Sequence, residues 1–307
     1  MTGFAIKRIL KGIFTVWCIW TIVFVLVRLT GDPTDWLVED GASTTYVEQL
    51  RQQLHVDEPL HIQYIENLKD LLTGNLGYSR QYKKDVILLY KERLPQTLKL
   101  ALPSLLLGAV FGVALGTVAA IKHDSFADKT VRVVTVVFHT LPNFCLGIIM
   151  ILFFSLTLRW FPSAGSATWK SYIMPMLTLA SGPTATIARL TRNSLVNTMT
   201  NEYIDGARMK GVPEINVIIR HGLRNSLSPV VTRIGMQIGT IIGGSAVVEN
   251  VFSWPGMGQL LVTAAKNRDF QVVQLGVLII ASTVTIAHIL IDLSHGWLDP
   301  RVREQVK

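Results

Sequence analysis

From Leu100 to Ile121 the chain runs for twenty-two residues without a charge. Nothing in hydrocarbon can satisfy an exposed backbone N–H or C=O, so a run of this kind crosses a bilayer only as a helix. At 1.5 Å per residue it reaches about 33 Å, enough for the hydrocarbon core. Comparable apolar runs recur at about 12–30, 133–158, 171–188, 228–248 and 271–291, and with the run at 98–121 they make six. Half of the 307 residues are hydrophobic and 16% are charged, which excludes an ordinary soluble domain. The expected fold is an all-α polytopic membrane protein with six transmembrane helices.

Charge placement sets the orientation. Lys7, Arg8 and Lys11 precede the first run, and Arg301, Arg303 and Lys307 follow the last. Sixteen Lys and Arg fall in the stretches that would face the cytoplasm and two in each short outer loop, so both termini are expected inside. The net charge of +8 then reflects orientation and implies no nucleic-acid partner. Cys18 and Cys145 lie inside apolar runs and read as small hydrophobes. The first run has no small-residue cleavage site and ends with Arg28, a residue able to reach the headgroups, so it reads as a retained anchor.

Residues 31–95 form an outer insertion. Pro59 opens a helix with Ile62, Ile65, Leu68 and Leu72 on one face, and Val47, Leu50 and Leu54 make a shorter stripe. Gly108, Gly112 and Gly116 in the second run, and Gly235, Gly239 and Gly243 in the fifth, recur every four residues, which lets another helix approach closely. A partner permease is one candidate neighbour of the second stripe. Pro142 should kink the third run, leaving His139 and Asn143 four residues apart to line a path or to bond the freed carbonyls; the second reading is favoured. Pro175 and Gly182-Pro183 should break the fourth, a feature tolerated only against protein or water. Trp254 reads as an interface anchor.

One polar island interrupts the apolar half: Asn201 to Pro229, with Arg208, Lys210, Arg220 and Arg224. Asn201 is a plausible cap for a helix over Glu202–Met209, Gly211 can end it in the left-handed conformation, and Pro213 opens a second helix over Glu214–Leu223. Ile215, Val217, Ile218 and Ile219 should leave Arg220 and Arg224 on another side. The island resembles the cytoplasmic coupling loop of ABC importer permeases, in which Glu-Ala-Ala, three residues and Gly precede nine residues and Ile-x-Leu-Pro. Asp205, Gly206 and Ala207 stand at the Glu-Ala-Ala positions, Gly211 at the Gly, and His221 to Arg224 at the last four; Gly206, His221 and Arg224 depart from the pattern. The His221–Asn225 variant is similar to the dipeptide, oligopeptide and nickel branch. So are Gly31-Asp32-Pro33, Gly74 to Ser79, Arg93 to Leu98, the string Glu249 to Leu261 (a re-entrant or outer-mouth segment in that branch), and Asp299-Pro300-Arg301.

The resemblance spans Arg28 to Arg301. It implies a type I ABC importer permease of the bacterial inner membrane: residues 1–30 as the cytoplasmic N-terminus and first span, 31–95 as a helical periplasmic insertion, 96–307 as a five-helix core with the coupling loop at 193–228. Glu202, Asp205, Gly206, Ala207, Gly211, His221, Leu223 and Arg224 would contact the ATPase. The implied partners are a second permease subunit, two ABC ATPase subunits, a periplasmic or lipid-anchored binding protein, and membrane lipid. No P-loop motif occurs, so ATP and Mg2+ belong to partner subunits and this chain is expected to carry no cofactor and no catalytic residue. Short peptides are the expected cargo, with nickel or another metal chelate as the alternative. His288, Asp292 and His295 share one face of the last helix, which fits three metal ligands or a polar helix end with Asp292 paired to a base; the tail pattern favours the second. An ion-coupled secondary transporter needs mid-membrane ionisable groups, and the spans offer only His139 and Arg233.

Overall fold

The structure is a computed structural model that describes residues 2–30, 45, 48, 51, 57–79 and 81–298, with side chains through 293 in the last helix. Gly31-Asp32-Pro33, the Val47, Leu50 and Leu54 stripe and the tail from Asp299 onward lie outside the described residues, as does the His295 side chain. The first helix, α1, is Thr2–Leu29. Leu60–Thr73 forms α2, and a small antiparallel pair, β1 Tyr78–Ser79 and β2 Lys84–Asp85, follows. Then come α3 Val86–Ile121, α4 Phe126–Thr140, α5 Asn143–Met150 and α6 Lys170–Met199. After these lie α7 Glu202–Met209, α8 Glu214–Asn216, α9 Arg224–Val251, α10 Met257–Lys266 and α11 Phe270–Leu298. Two π-helical stretches, Ile151–Thr157 after α5 and Val217–Leu223 before α9, continue their helices without a break.

Among the described residues four helical segments are long and apolar enough to cross a membrane: Gly3–Leu29, Val86–Ile121, Glu214–Val251 and Phe270–Leu293. A fifth appears if α4 and α5 count together, but they are bent by 103°. The kink placed at Pro142 is therefore a full break, and the residues read as the loop 122–132 already belong to α4 from Phe126. His139 is exposed on α4 while Asn143 starts α5, so the two do not share a helix face.

The second run begins at Val86 rather than Leu98, and its helix carries Pro95 and Pro103 in its interior. The fourth run is not broken: α6 continues through Pro175 and Pro183. Thr178, Thr184 and Thr186 turn their hydroxyls back to carbonyls four residues earlier, and Ser181 does so three residues earlier, so polar groups are satisfied within the helix. α6 is the most enclosed helix, and its Ser, Thr and Pro content keeps it off the set of apolar spans. α3 crosses it at the glycine stripe. An added Cβ would sit 2.9 Å from Pro183 Cβ at Gly108 and 2.7 Å from Ile187 Cβ at Gly112, and at Gly116 it would strike the Ala188 carbonyl. Backbones thus touch where side chains would otherwise keep them about 8–10 Å apart.

The second stripe divides. Gly235 packs on Ile291 and Gly239 on His288, both in α11 of the same chain, while a Cβ at Gly243 would meet nothing within 4 Å. The insertion is tied down by polar contacts: Tyr64 Oη lies 2.8 Å from Thr21 Oγ1, Gln274 Nε2 donates to Asn67 Oδ1 at 2.8 Å, and Ser79 Oγ donates to Asp269 Oδ2 at 2.6 Å. The exposed Ile65 and Leu72 show that the inward face of α2 is carried by Gln63 and Tyr64, one position off the aliphatic stripe.

The Glu249–Leu261 string makes the tightest knot. Glu249 is fully buried and accepts from Thr97 Oγ1 at 2.8 Å, Ser245 Oγ at 3.1 Å, Gly258 N at 2.7 Å and Gln259 N at 3.1 Å. It joins α3, α9 and the N-terminus of α10, where a carboxylate also meets the positive end of the helix dipole. Trp254 is no interface anchor: it is 0% exposed, stacks edge-on with Tyr172 at 4.4 Å, and donates Nε1–H to the Gln96 carbonyl.

Candidate coupling site

α7 begins where α6 ends. Asn201 is extended (φ −82°, ψ 144°) and its carbonyl accepts from Ile204 N, but its side chain turns back to the Thr198 carbonyl and caps nothing. Glu202 and Asp205 in the first turn complement the helix dipole instead. The helix closes on Gly211 (φ +73°): Val212 N–H donates to the Ala207 carbonyl and Gly211 N–H to the Arg208 carbonyl. That is the Schellman arrangement, which needs the left-handed residue glycine supplies without a Cβ clash. Val212 completes it by packing on the buried cluster of Ile204, Ala207 and Val217.

Arg208 clamps the turn from outside. Its Nη2 donates to Glu214 Oε1 at 2.8 Å, Nε to Oε2 at 3.2 Å, and Nη1 to Asp205 Oδ1 at 3.2 Å. The Arg208 hydrogen bond holds the Glu214 carboxyl below its ordinary range. The second helix is not the free-standing Glu214–Leu223 element of the sequence reading: α8, the π-helical stretch and α9 form one continuous rod from Glu214 to Val251. Val217 and Ile218 are buried, whereas Ile215 and Ile219 are half-exposed, so the four aliphatic residues do not form one face. Gly222 fits against Met199 and Leu195 of α6. Asn225 Nδ2 donates to both the Tyr203 hydroxyl and the His221 carbonyl, and Ser194 Oγ donates to the Ser226 carbonyl.

The result is a short helix, α7, wedged between the ends of α6 and α9. Its outward side shows Glu202, Asp205 and Met209 (83% exposed), while Gly206 leaves open space for a neighbour. Next to it Ile219, Arg220, His221, Arg224 and Asn225 line a cationic hollow of about 780 Å³. Leu223 is half-buried at the junction. The structure therefore gathers Glu202, Asp205, Ala207, Gly211, His221, Leu223 and Arg224 around one hairpin. The Tyr203–Asn225 tie and the Asp128–Arg192 ion pair (2.7 Å) between α4 and α6 escaped sequence reasoning, because neither pair is close in the chain.

Two of the metal candidates are engaged by neighbours. His288 packs on Gly239, and Asp292 pairs with Arg8 at 2.9 Å. Among the described residues the one acid–imidazole group of three is His123, Asp124 and Asp128, and Asp128 is already held by Arg192 and Arg132.

The long apolar helices thus end, on one side of the bundle, in a compact polar hairpin formed by α7 and the start of the rod. The chain belongs to the family of binding-protein-dependent transport system inner membrane components, whose profile matches residues 112–304, with the family's N-terminal profile matching 1–101. It is 36% identical over 99% of both chains to the glutathione transport system permease protein GsiC of Escherichia coli K12, and equally to its counterparts in Escherichia coli CFT073 and Salmonella choleraesuis SC-B67. Its fold resembles a chain of the MetNI methionine ABC transporter solved in inward-facing conformations, with a TM-score of 0.55 and 21% identity over 70% of this chain and 96% of that one. The protein is thus an inner-membrane permease of a binding-protein-dependent ABC importer, a class that works with ATPase and substrate-binding subunits.

Proposed function

We propose that this permease couples ATP turnover in two partner ATPases, where ATP and Mg2+ reside, to the passage of short peptides of the glutathione class delivered by a periplasmic or lipid-anchored binding protein. The observation that carries the coupling is the unbroken helical run from Glu214 to Val251, which leads from the hairpin beside α7 through the π-helical stretch and Pro229 into an apolar span. Counting α6 as the buried sixth span gives six helices with both ends inside. A helix enclosed by its neighbours needs less apolar surface than one facing lipid. A second permease subunit would complete the translocation path, and Gly243 offers it an open small-residue surface. ATP shifts such a bundle only as far as the closed ATPase dimer binds one of its states better.

The peptide reading draws on the glutathione relatives; nickel chelates, the other cargo class of the branch, form the comparison arm. The test is affinity purification of the tagged chain from membranes, followed by reconstitution with its co-purified ATPases and binding protein. Stimulation of ATP hydrolysis and uptake by glutathione or dipeptides supports the proposal. Uptake without ATP would refute the coupling, and stimulation by nickel chelates alone would refute the cargo.

A further inference from the structure

α4 is bent 103° from the helix that follows it, and it packs on the last turns of α6 through Asp128 and Arg192. Between α4 and α6 opens a cleft of about 270 Å³ whose rim carries Arg132, Arg189 and Arg192 and whose wall includes Thr135, Val136 and Ala188. The acids that pair with its arginines are Asp128 and Asp124. Arg192 binds both oxygens of the buried Asp128 at 2.7 Å, and Arg132 lies 3.3 Å from Asp128 and 3.8 Å from Asp124. Among the described residues Arg189 has no acidic partner and is exposed. Three guanidiniums against two carboxylates leave the cleft one positive charge in excess.

The surroundings are apolar. α4 turns Phe126 (86% exposed), Val133 and Val137 outward, and α3 adds the exposed Val118 and Ile121. An amphipathic helix with cations at its rim and bare aliphatic residues beside them suits the membrane–water boundary. A soluble anion would use the guanidiniums and leave this apolar surface idle.

We propose that the α4–α6 cleft binds the headgroup of an anionic glycerophospholipid. The phosphodiester bridges Arg189 and Arg132, with Arg192 held by Asp128 and Asn193 behind them, and the acyl chains lie along Val133, Val136 and Val137. The single phosphodiester charge matches the excess in the cleft, whereas a zwitterionic headgroup brings an ammonium that the arginines repel. A lipid held there would fix α4 against the part of α6 that leads to α7. The inference rests on the importer reading only in placing the α4–α6 end at the membrane boundary.

The test is native mass spectrometry of the assembled complex in detergent, titrated with phosphatidylglycerol and phosphatidylcholine. Each interfacial cation contributes about fivefold to anionic-lipid affinity, so Arg189→Glu should weaken phosphatidylglycerol retention by roughly 25-fold while Arg189→Lys retains it. Wild-type complex should prefer phosphatidylglycerol, and a photo-crosslinker at Val136 should capture it in nanodiscs. Equal uptake of both lipids, unchanged retention in Arg189→Glu, displacement by inorganic phosphate as effectively as by short-chain phosphatidylglycerol, or capture of an acidic protein segment in place of lipid would each overturn it. ATPase stimulation measured on the same variants separates this site from the coupling reading: lipid loss with intact stimulation leaves coupling standing, and the reverse leaves the lipid site standing.

Discussion

Replacing Glu249 should damage this fold in a graded and diagnostic way. The side chain is wholly buried and accepts two hydroxyl and two backbone N–H donors. In Glu249→Ala the hydroxyls can turn elsewhere; Ser245 already reaches the Ile242 carbonyl at 2.9 Å. The N–H groups of Gly258 and Gln259 cannot turn. Two buried donors left unpaired cost about 1–3 kcal/mol each, so the loss is about 2–6 kcal/mol before any cavity effect. Glu249→Gln keeps one oxygen for those two N–H groups and gives an amide to the hydroxyls, so no N–H is orphaned and the loss is about 1–3 kcal/mol. At about 2–4 °C per kcal/mol for chains of 150–250 residues, Ala should lower the midpoint of thermal unfolding in detergent by roughly 4–24 °C and Gln by distinctly less. The assay is size-exclusion recovery after stepwise heating of the purified complex. Gln as harmful as Ala would refute the donor accounting, because it would show that charge rather than backbone satisfaction holds the knot. No shift in either variant would refute the knot itself.

Three further expectations follow from the same geometry. Gly112→Val and Gly116→Val should prevent a stable bundle, since their Cβ atoms would collide with Ile187 and the Ala188 carbonyl, while Gly243→Ala should leave single-chain stability within about 0.5 kcal/mol; detergent thermal recovery compares them. Gly211→Pro should uncouple transport from ATP hydrolysis without blocking membrane insertion, because proline fixes φ near −65° where the hairpin needs +73°; normal uptake in reconstituted vesicles would count against the hairpin's role. The Glu214 carboxyl is held below its ordinary value by Arg208, so the tie across the turn is fully present above about pH 4.5 and is lost as pH falls through the lowered folded value. Rate-corrected amide protection of α7 should therefore be level from pH 8 to 5 and should fall only in stronger acid.

What was legible in the sequence was what depends on local chemistry. The bounds Glu202–Met209 and the left-handed Gly211 are readable within a few positions, from Asn201 and from a residue without Cβ, although Asn201 marks the start by its extended backbone and not by a side-chain cap. The glycine stripe of α3 was legible as a device, because a four-residue period says that something comes close; that its neighbour is α6 is a tertiary fact. Periodicity failed where the environment is not water on one side and core on the other. In the sequence Pro175 and Gly182-Pro183 read as breaks in α6, yet surrounding helices and back-bonded Thr hydroxyls keep it intact.

Glu249 escaped for a different reason. A lone glutamate after an apolar run reads as the polar edge of a span, and nothing local says that Thr97, 152 residues away, will meet it. The same holds for Trp254, whose N–H finds the Gln96 carbonyl one residue before that threonine. Together they tie two side chains of the string, Glu249 and Trp254, to a two-residue stretch of α3. The string must therefore move with α3, and α3 is locked to α6 by glycines that allow no intervening side chain. Since α6 runs directly into α7, any displacement of the coupling hairpin that α6 follows has a continuous packed route to this far knot. The hairpin has a second route through the rod, whose last turn carries Glu249 itself. Both routes converge on one carboxylate, which is why the Glu249 substitutions should change the stability of the bundle as a whole and not of α10 alone.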